Sequence, residues 1–305
     1  MRLKLIASFS IAITCSLAAP RPVILTTDCG ADMDDQWALA HLVLSSEFDV
    51  RAVVTTHTGK FPVFPAPAAE GTAKVAREVL AHMPLRSRPV VIPGSSVPLS
   101  SRSPLLNEGV KRILSESRGF NREHRLTVLV IGAGTDTASA LLIDKSLADR
   151  IEIVAMGFDR WPQGGDGFNI LNDPIAWQVI LDSNVPVTVG DGTVTKRDLG
   201  MTSEHAHSIL DSAGDPGRYL AGLLDQFLAT QRDLVVQITG DPGRWPVWDE
   251  VTVAYLKGLT KSEDHPRPKL RPDLSFEHGE QGNIQWITAI DGDRLWTDLA
   301  SQLKR

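Results

Sequence analysis

Four aspartates lie within eight positions near the start of the chain: Asp28, Asp32, Asp34 and Asp35. Carboxylates this close repel one another, which destabilises a protein unless a cation or solvent relieves the repulsion. Oxygen ligands with high negative charge are typical of Ca²⁺ or Mg²⁺ sites, and no histidine or cysteine cluster nearby favours zinc. Acidic side chains can also serve only to stabilise the N-terminus of a helix. That alternative accounts for Asp34 or Asp35 but not for four carboxylates on one loop, so we predict a metal site.

The spacing of these aspartates does not match the common acidic and phosphate-binding motifs. An EF-hand needs a glycine after its third acidic position and a distal glutamate, and a P-loop needs Gly-Lys-Ser/Thr. A metal-dependent phosphoesterase is an alternative for an acidic cluster, but no histidine cluster accompanies these carboxylates. Cys29 lies inside the loop, and because no base or cation is evident beside it, we interpret it as a small packing residue.

The acidic loop follows directly on a predicted buried strand, and similar apolar runs recur along the first two thirds of the chain. Between them lie segments with apolar residues at helical spacing. This alternation predicts an α/β fold with a mainly parallel central sheet flanked by helices. Such sheets bind ligands beyond the carboxyl ends of their strands, where the aspartates lie. The predicted strands are 22–27, 50–56, 90–92, 126–131, 151–156 and 185–189, and the predicted helices are 37–44, 67–82, 104–115, 137–147 and 174–181.

The last third of the chain is predicted to be mostly helical, with helices at 216–232 and 247–259. Near the end, 285–290 and 294–296 predict a terminal hairpin, because the Asp291-Gly292 pair between them favours a two-residue turn. The polar, proline-rich stretch 262–272 predicts a surface loop. Since no repeat or low-complexity linker interrupts the chain, we expect residues 20–305 to form a single domain.

The first nineteen residues predict a secretory signal peptide. Arg2 and Lys4 precede an apolar run, and small residues follow up to Ala19, which is the order of such a signal. A lipid-anchored Cys15 and a buried N-terminal element are the alternatives. Removal of 1–19 leaves 29 basic and 37 acidic groups, a net charge of −8. We expect an exported protein, periplasmic or extracellular, that binds neither membrane nor nucleic acid, since nucleic-acid binding requires a basic surface.

The segment from Val23 to Leu39 resembles the signature of the nucleoside hydrolase family, in which a strand is followed by an Asp, a Gly and an Asp-Asp pair that begins a helix. Further segments resemble the family in the same order along residues 22–260. They are 54–59, 90–94, 132–138, 168–174 and 248–256. The resemblance implies the Rossmann-like fold of that family and hydrolysis of the N-glycosidic bond of a ribonucleoside to free base and ribose.

The resemblance also implies a Ca²⁺ site. Asp28 and Asp35 would be ligands from the first loop, Thr135 would contribute its backbone carbonyl, and Asp249 would complete the site. A C–N bond of this kind breaks through an oxocarbenium-like state, which fixed negative charge stabilises. The ion would orient a water molecule and lower its pKa, and Asp28 would accept the proton.

Substrate contacts follow from the same resemblance. Asp34 would bind ribose hydroxyls, and Asn169 would contact the sugar. Trp248 would stack on the base, as in purine-preferring members, with Trp161 as a candidate second wall; the alternative is that Trp248 is a core residue. His57 is a candidate acid or substrate contact, with a structural role as its alternative.

The chain departs from the family pattern in four places. Thr26 replaces an aspartate, Gly167 replaces a glutamate expected to grip the 5′-hydroxyl, and Lys60 or a displaced His57 replaces an asparagine. Two additional residues in the first loop bring in Asp32. These departures indicate a divergent branch, and the alternative function is a secreted Ca²⁺-dependent ribose- or nucleoside-binding protein with little turnover. Family members are usually oligomers, so a homo-oligomer is implied.

Overall fold

An eight-stranded sheet forms the centre of the protein in a computed structural model, which describes residues 19–59, 66–165, 167–279 and 282–304. Lys60 and, apart from Ala19, the predicted signal peptide lie outside the described residues. The strands are β1 (Arg21–Thr27), β2 (Phe48–Thr55), β3 (Val91–Pro93), β4 (Leu126–Val130), β5 (Ile151–Met156), β6 (Val187–Gly190), β7 (Gly200–Thr202), β8 (Arg244–Pro246), β9 (Thr260–Pro266), β10 (Lys269–Leu270), β11 (Phe276–Glu277) and β12 (Asn283–Ile290). The helices are α1 (Asp34–Leu44), α2 (Ala68–His82), α3 (Glu108–Glu116), α4 (Thr135–Ile143), α5 (Phe168–Asn172), α6 (Pro174–Asp182), α7 (Gly192–Asp198), α8 (Ser203–Leu210), α9 (Asp215–Thr230), α10 (Arg232–Thr239), α11 (Glu250–Leu256) and α12 (Gly292–Leu303).

The strands of the large sheet are arranged in the order β3-β2-β1-β4-β5-β6-β12-β9. All neighbouring pairs are parallel except β12 and β9, which are antiparallel. The predicted α/β fold with a mainly parallel sheet is therefore confirmed. Because β1 pairs with β2 on one side and with β4 on the other, the strand order reverses at β1. A crevice at such a reversal is where open α/β sheets bind ligands.

Apolar layers cover both faces of the sheet. Along β1, Val23 and Leu25 pack into one buried cluster, together with Trp37 of α1. Ile24, between them, packs into the opposite cluster, together with Trp177 of α6. Successive side chains of a strand point to opposite faces, so a strand that is buried on both sides must be continuously apolar. This is the physical reason that the apolar runs predicted the strands.

Two predictions for the last third of the chain are wrong. The terminal hairpin is replaced by β12 followed by α12, because the Asp291 side chain accepts a hydrogen bond from the backbone N–H of Arg294 and so caps a helix. The predicted surface loop at 262–272 instead contains most of β9, an edge strand paired with β12. Its polar composition reflects exposure of this edge strand on the surface of the sheet. Among the described residues, no helix combines the length and apolarity needed to cross a bilayer.

Candidate metal centre

The first acidic loop lies at the carboxyl end of β1, where the strand order reverses. Asp28 is the first residue after β1, and Gly132 follows β4, its neighbour. A Cβ atom at Gly132 would lie 2.6 Å from the backbone nitrogen of Asp28, so only glycine allows this approach. Gly30 has φ 93°, and the Ala31 N–H donates to the Asp28 carbonyl oxygen over 3.0 Å. This hydrogen bond and the positive φ form a tight turn between β1 and α1.

Three carboxylates from distant parts of the chain meet beside this loop. Asp34 and Asp35 begin α1, and Asp249 comes directly before α11. One oxygen from each lies within 4.8 Å of the other two, and all three residues are buried. Such a group of oxygen donors could hold a metal ion. It includes Asp34, which the resemblance assigns to the ribose.

Asp28 is next to this group, and its charge acts on Asp35 and Asp249. Burial, with a smaller contribution from Asp32, raises the pKa of Asp28 to about 8. Burial and repulsion from the neighbouring carboxylates hold the pKa values of Asp34, Asp35 and Asp249 well above the ordinary range. The Oδ2 atom of Asp28 is buried and has no hydrogen-bond partner. Buried, mutually repelling oxygen donors with an unpartnered member fit a hard divalent cation, which would relieve both penalties.

Hydrogen bonds fix the orientation of the acidic loop. The Thr27 hydroxyl donates to Oδ1 of Asp35. Asp32 accepts from the backbone N–H of Asp34 over 2.8 Å and from the indole Nε1–H of Trp245 over 3.1 Å. Both oxygens of Asp32 therefore have partners, and this additional carboxylate anchors the loop to the segment that leads to Asp249.

Cys29 is fully buried within the same loop. Burial, followed by the charges of Asp35, Asp28 and Asp249, raises the pKa of its thiol well above the ordinary value. The side chain is therefore a neutral thiol that fills space, and it lacks the thiolate character of a reactive cysteine.

Thr135, the first residue of α4, lies between His57 and Asp173. Its hydroxyl donates to Oδ2 of Asp173 over 2.6 Å and lies 2.9 Å from Nε2 of His57. The Nδ1 atom of His57 accepts from the Gly59 N–H over 3.0 Å, so the proton of the neutral ring is on Nε2. Burial lowers the pKa of His57 to about 4, which keeps the ring neutral at neutral pH. In this arrangement His57 orients Thr135.

Asn169 lies on α5, at the carboxyl edge of the sheet. Its Nδ2 donates to the carbonyl oxygens of Ile131 and Met156, over 3.0 and 3.2 Å. Gly167 precedes α5, and a Cβ atom there would lie 2.3 Å from the backbone nitrogen of Phe158. This close backbone approach explains why glycine stands where the family pattern has glutamate.

Two tryptophans belong to the segment that leads to Asp249, and both pack with the apolar cluster that contains Trp37. Trp248 directly precedes Asp249 and is half-buried, and its ring meets that of Trp245 edge-on, with centroids 5.8 Å apart. Trp245 was not predicted as a site residue, because its contact with Asp32 joins positions that are far apart in the chain. Trp161 packs with the opposite core and stacks on His265 of β9 at 4.5 Å, so it does not form a wall with Trp248.

Known proteins are similar to this chain in sequence over most of its length. A sequence profile described as "Inosine-uridine preferring nucleoside hydrolase" matches residues 23–297. The pyrimidine-specific ribonucleoside hydrolase RihA of Salmonella schwarzengrund (strain CVM19633) is 25% identical over 330 residues, which cover 93% of this chain and 98% of the relative. RihA of Klebsiella pneumoniae subsp. pneumoniae is 26% identical over 262 residues, or 75% of this chain and 78% of the relative.

Solved structures share the fold at lower identity. The purine-preferring ribonucleoside hydrolase from Gardnerella vaginalis superimposes with a TM-score of 0.73 at 18% identity, covering 93% of this chain and 99% of the other. The plant nucleoside hydrolase PpNRh1 gives a TM-score of 0.71, also at 18% identity and with the same coverage.

Proposed function

Because the chain belongs to the inosine-uridine preferring nucleoside hydrolase family and is thus an enzyme that hydrolyses ribonucleosides, we propose that it does so with Ca²⁺ as its cofactor and Asp28 as its general base. The observation that carries this proposal is the buried group of Asp34, Asp35 and Asp249, with the unpartnered oxygen of Asp28 beside it. The products are the free base and ribose.

The proposed ligands are the carboxylates of Asp28, Asp35 and Asp249 and the backbone carbonyl of Thr135. Their oxygens suit a hard cation, and the repulsion among the buried carboxylates supports a charge between them. When bound, the ion supplies positive charge that lowers the pKa of a water molecule and fixes ribose hydroxyls. Asp34, at the start of α1, is the proposed hydrogen-bond acceptor for those hydroxyls, and Asn169 is the proposed second contact to the sugar.

Asp28 is proposed to take the proton of the attacking water. Its Oδ2 is buried and has no partner in the protein, so one lone pair is available for that proton. As the water oxygen bonds to the anomeric carbon, the C–N bond breaks and its electron pair leaves with the base. The surrounding carboxylates stabilise the positive charge that develops on the sugar.

The assay that tests this proposal measures reducing sugar released from inosine, adenosine, guanosine, uridine and cytidine, with Ca²⁺ or with a chelator. We expect release with Ca²⁺, its loss after chelation and its return when Ca²⁺ is added back. Release that continues without any divalent cation would contradict the cofactor. If no nucleoside is cleaved although ribose or nucleosides bind tightly, the chain is instead a binding protein of the same fold.

A purine preference is proposed from the place of Trp248 directly before Asp249, because an aromatic face suits a large flat base. We expect Trp248→Ala to reduce kcat/KM for inosine and guanosine more than for uridine and cytidine. Trp161→Ala is the matched control, because it also removes a tryptophan side chain, but one that packs against the apolar cluster on the other face of the sheet. It should not change the ratio of kcat/KM between purine and pyrimidine nucleosides. Equal losses on purines and pyrimidines in Trp248→Ala would assign Trp248 to packing alone.

We also propose that the protein is exported and that it forms a homo-oligomer. The export proposal is supported by the order of basic, apolar and small residues in 1–19. Detection of a mature chain that starts near Pro20 outside the cytoplasm would test it. A homo-oligomer is proposed from the family resemblance, and light scattering of the purified protein measures it.

A further inference from the structure

His41 forms a buried bridge between two carboxylates behind the metal centre. Its side chain is fully buried, with Nδ1 2.9 Å from Oε2 of Glu250 and Nε2 2.8 Å from Oδ2 of Asp298. The Glu250 side chain is also fully buried, whereas that of Asp298 is 32% exposed. The bridge therefore joins α1, α11 and α12 through one imidazole ring.

The charges around this ring favour its protonated form. Burial opposes a charge on His41, but Glu250 and Asp298 outweigh burial and raise the pKa of the ring. Lys257 pairs with Asp298 over 2.5 Å and with Glu47 over 2.7 Å, so positive and negative groups alternate along the network. An imidazolium ring donates from both nitrogens, which is what two facing carboxylates require.

The bridge links the two helices that carry the metal-centre carboxylates. His41 is on α1, which begins with Asp34 and Asp35, and Glu250 directly follows Asp249 at the start of α11. The second oxygen of Glu250, Oε1, is buried without a hydrogen-bond partner. Within the part of the chain that the structure describes, the hydrogen bond to His41 is therefore the one that holds the Glu250 side chain in place. A shift of His41 would therefore be transmitted to the residue next to Asp249.

We propose that His41 is a positioning residue of the metal centre: through Glu250 it holds Asp249 against Asp34 and Asp35, and so sets the affinity for the cation. This inference rests on the proposed cation site. Loss of one partner of a buried ion pair leaves the other charge uncompensated, which is strongly unfavourable. The freed Glu250 carboxylate would move, and Asp249 would move with it.

The test is calcium titration by isothermal calorimetry, together with the melting temperature of the metal-free protein. We expect His41→Gln to raise the Ca²⁺ dissociation constant about tenfold or more, as for other groups that orient metal ligands. The double variant His41→Gln with Glu250→Gln should recover most of the lost affinity, because two neutral amides can pair without an unpaired charge. Should His41→Gln fail to fold, Asp298→Asn removes the less buried partner and should weaken Ca²⁺ binding to a smaller degree.

His207 provides a matched control. It also bridges two carboxylates, Asp211 and Asp225, at 2.9 and 2.8 Å, but its side chain is 39% exposed on α8. His207→Gln should leave the Ca²⁺ dissociation constant unchanged. A His41→Gln variant with a lower melting temperature but wild-type Ca²⁺ affinity overturns the positioning role. A wild-type protein that binds no Ca²⁺ overturns the proposed cation site itself, and the inference with it.

Discussion

Asp28→Asn is expected to retain the fold and to lose nearly all turnover, with kcat lower by about 10²–10⁴-fold, the usual contribution of a general base. Asparagine keeps the size of the side chain and one oxygen, but its amide cannot take a proton from water at neutral pH. Because Asp28 lies at the end of the central strand β1 with Oδ2 unpartnered, no other bond in the described structure depends on that oxygen.

The measurement is the steady-state rate of reducing-sugar release at saturating inosine and Ca²⁺. Asp191→Asn is the matched control, since Asp191 is also a buried aspartate directly after a parallel strand, β6. It bonds the Val194 N–H and the Trp286 indole, each over 2.7 Å, so its replacement should lower the melting temperature and leave kcat largely intact. Turnover in Asp28→Asn close to that of the wild type would remove Asp28 from its assigned role.

Asp249→Asn is expected to have opposite effects on the metal-free and the calcium-bound protein. Without metal, the substitution removes one negative charge from a buried group whose members repel one another, so the melting temperature should rise. With Ca²⁺, the site lacks one anionic ligand, so the stabilisation that the cation gives the wild type should largely disappear.

Thermal melts of both proteins across a Ca²⁺ series, with a chelated sample as the zero point, measure both effects. Asp191→Asn again serves for comparison, because it should shift every melt downwards by a similar amount and preserve the calcium response. If Asp249→Asn lowers the stability of the metal-free protein and still responds fully to Ca²⁺, Asp249 has a structural role and is not a ligand.

The sheet could be predicted from the sequence because its physical cause is local. Residues of β1, β4 and β5 are buried on both faces, so each strand is an apolar run that can be recognised without knowledge of its neighbours. The terminal hairpin was predicted wrongly because the local sequence there is compatible with two structures. Asp291-Gly292 suits a hairpin turn, but an aspartate at that place also caps a helix, and only packing against the rest of the fold selects the second.

The candidate site was predictable only in part, because it joins residues that are far apart in the chain. The apolar periodicity and the spacing of the aspartates predicted that the first loop lies at the end of a strand. They do not predict that Asp249 lies close to this loop in the folded chain. That assignment depended on the family resemblance. Trp245 and His41 were missed because each forms its contacts across the fold, with Asp32 and with Glu250. Neither contact has a local sequence signature.

The close packing of Gly167 against Phe158 has a consequence for substitutions at these two positions. Phe158 has a positive φ of 65°, and its backbone occupies the space that any side chain at 167 would need. A glutamate introduced at 167 alone should therefore be destabilising, because it requires a different backbone path at Phe158. We expect substitutions at 158 and 167 to be non-additive, so that a side chain at 167 is accommodated by joint substitution and not by a single step.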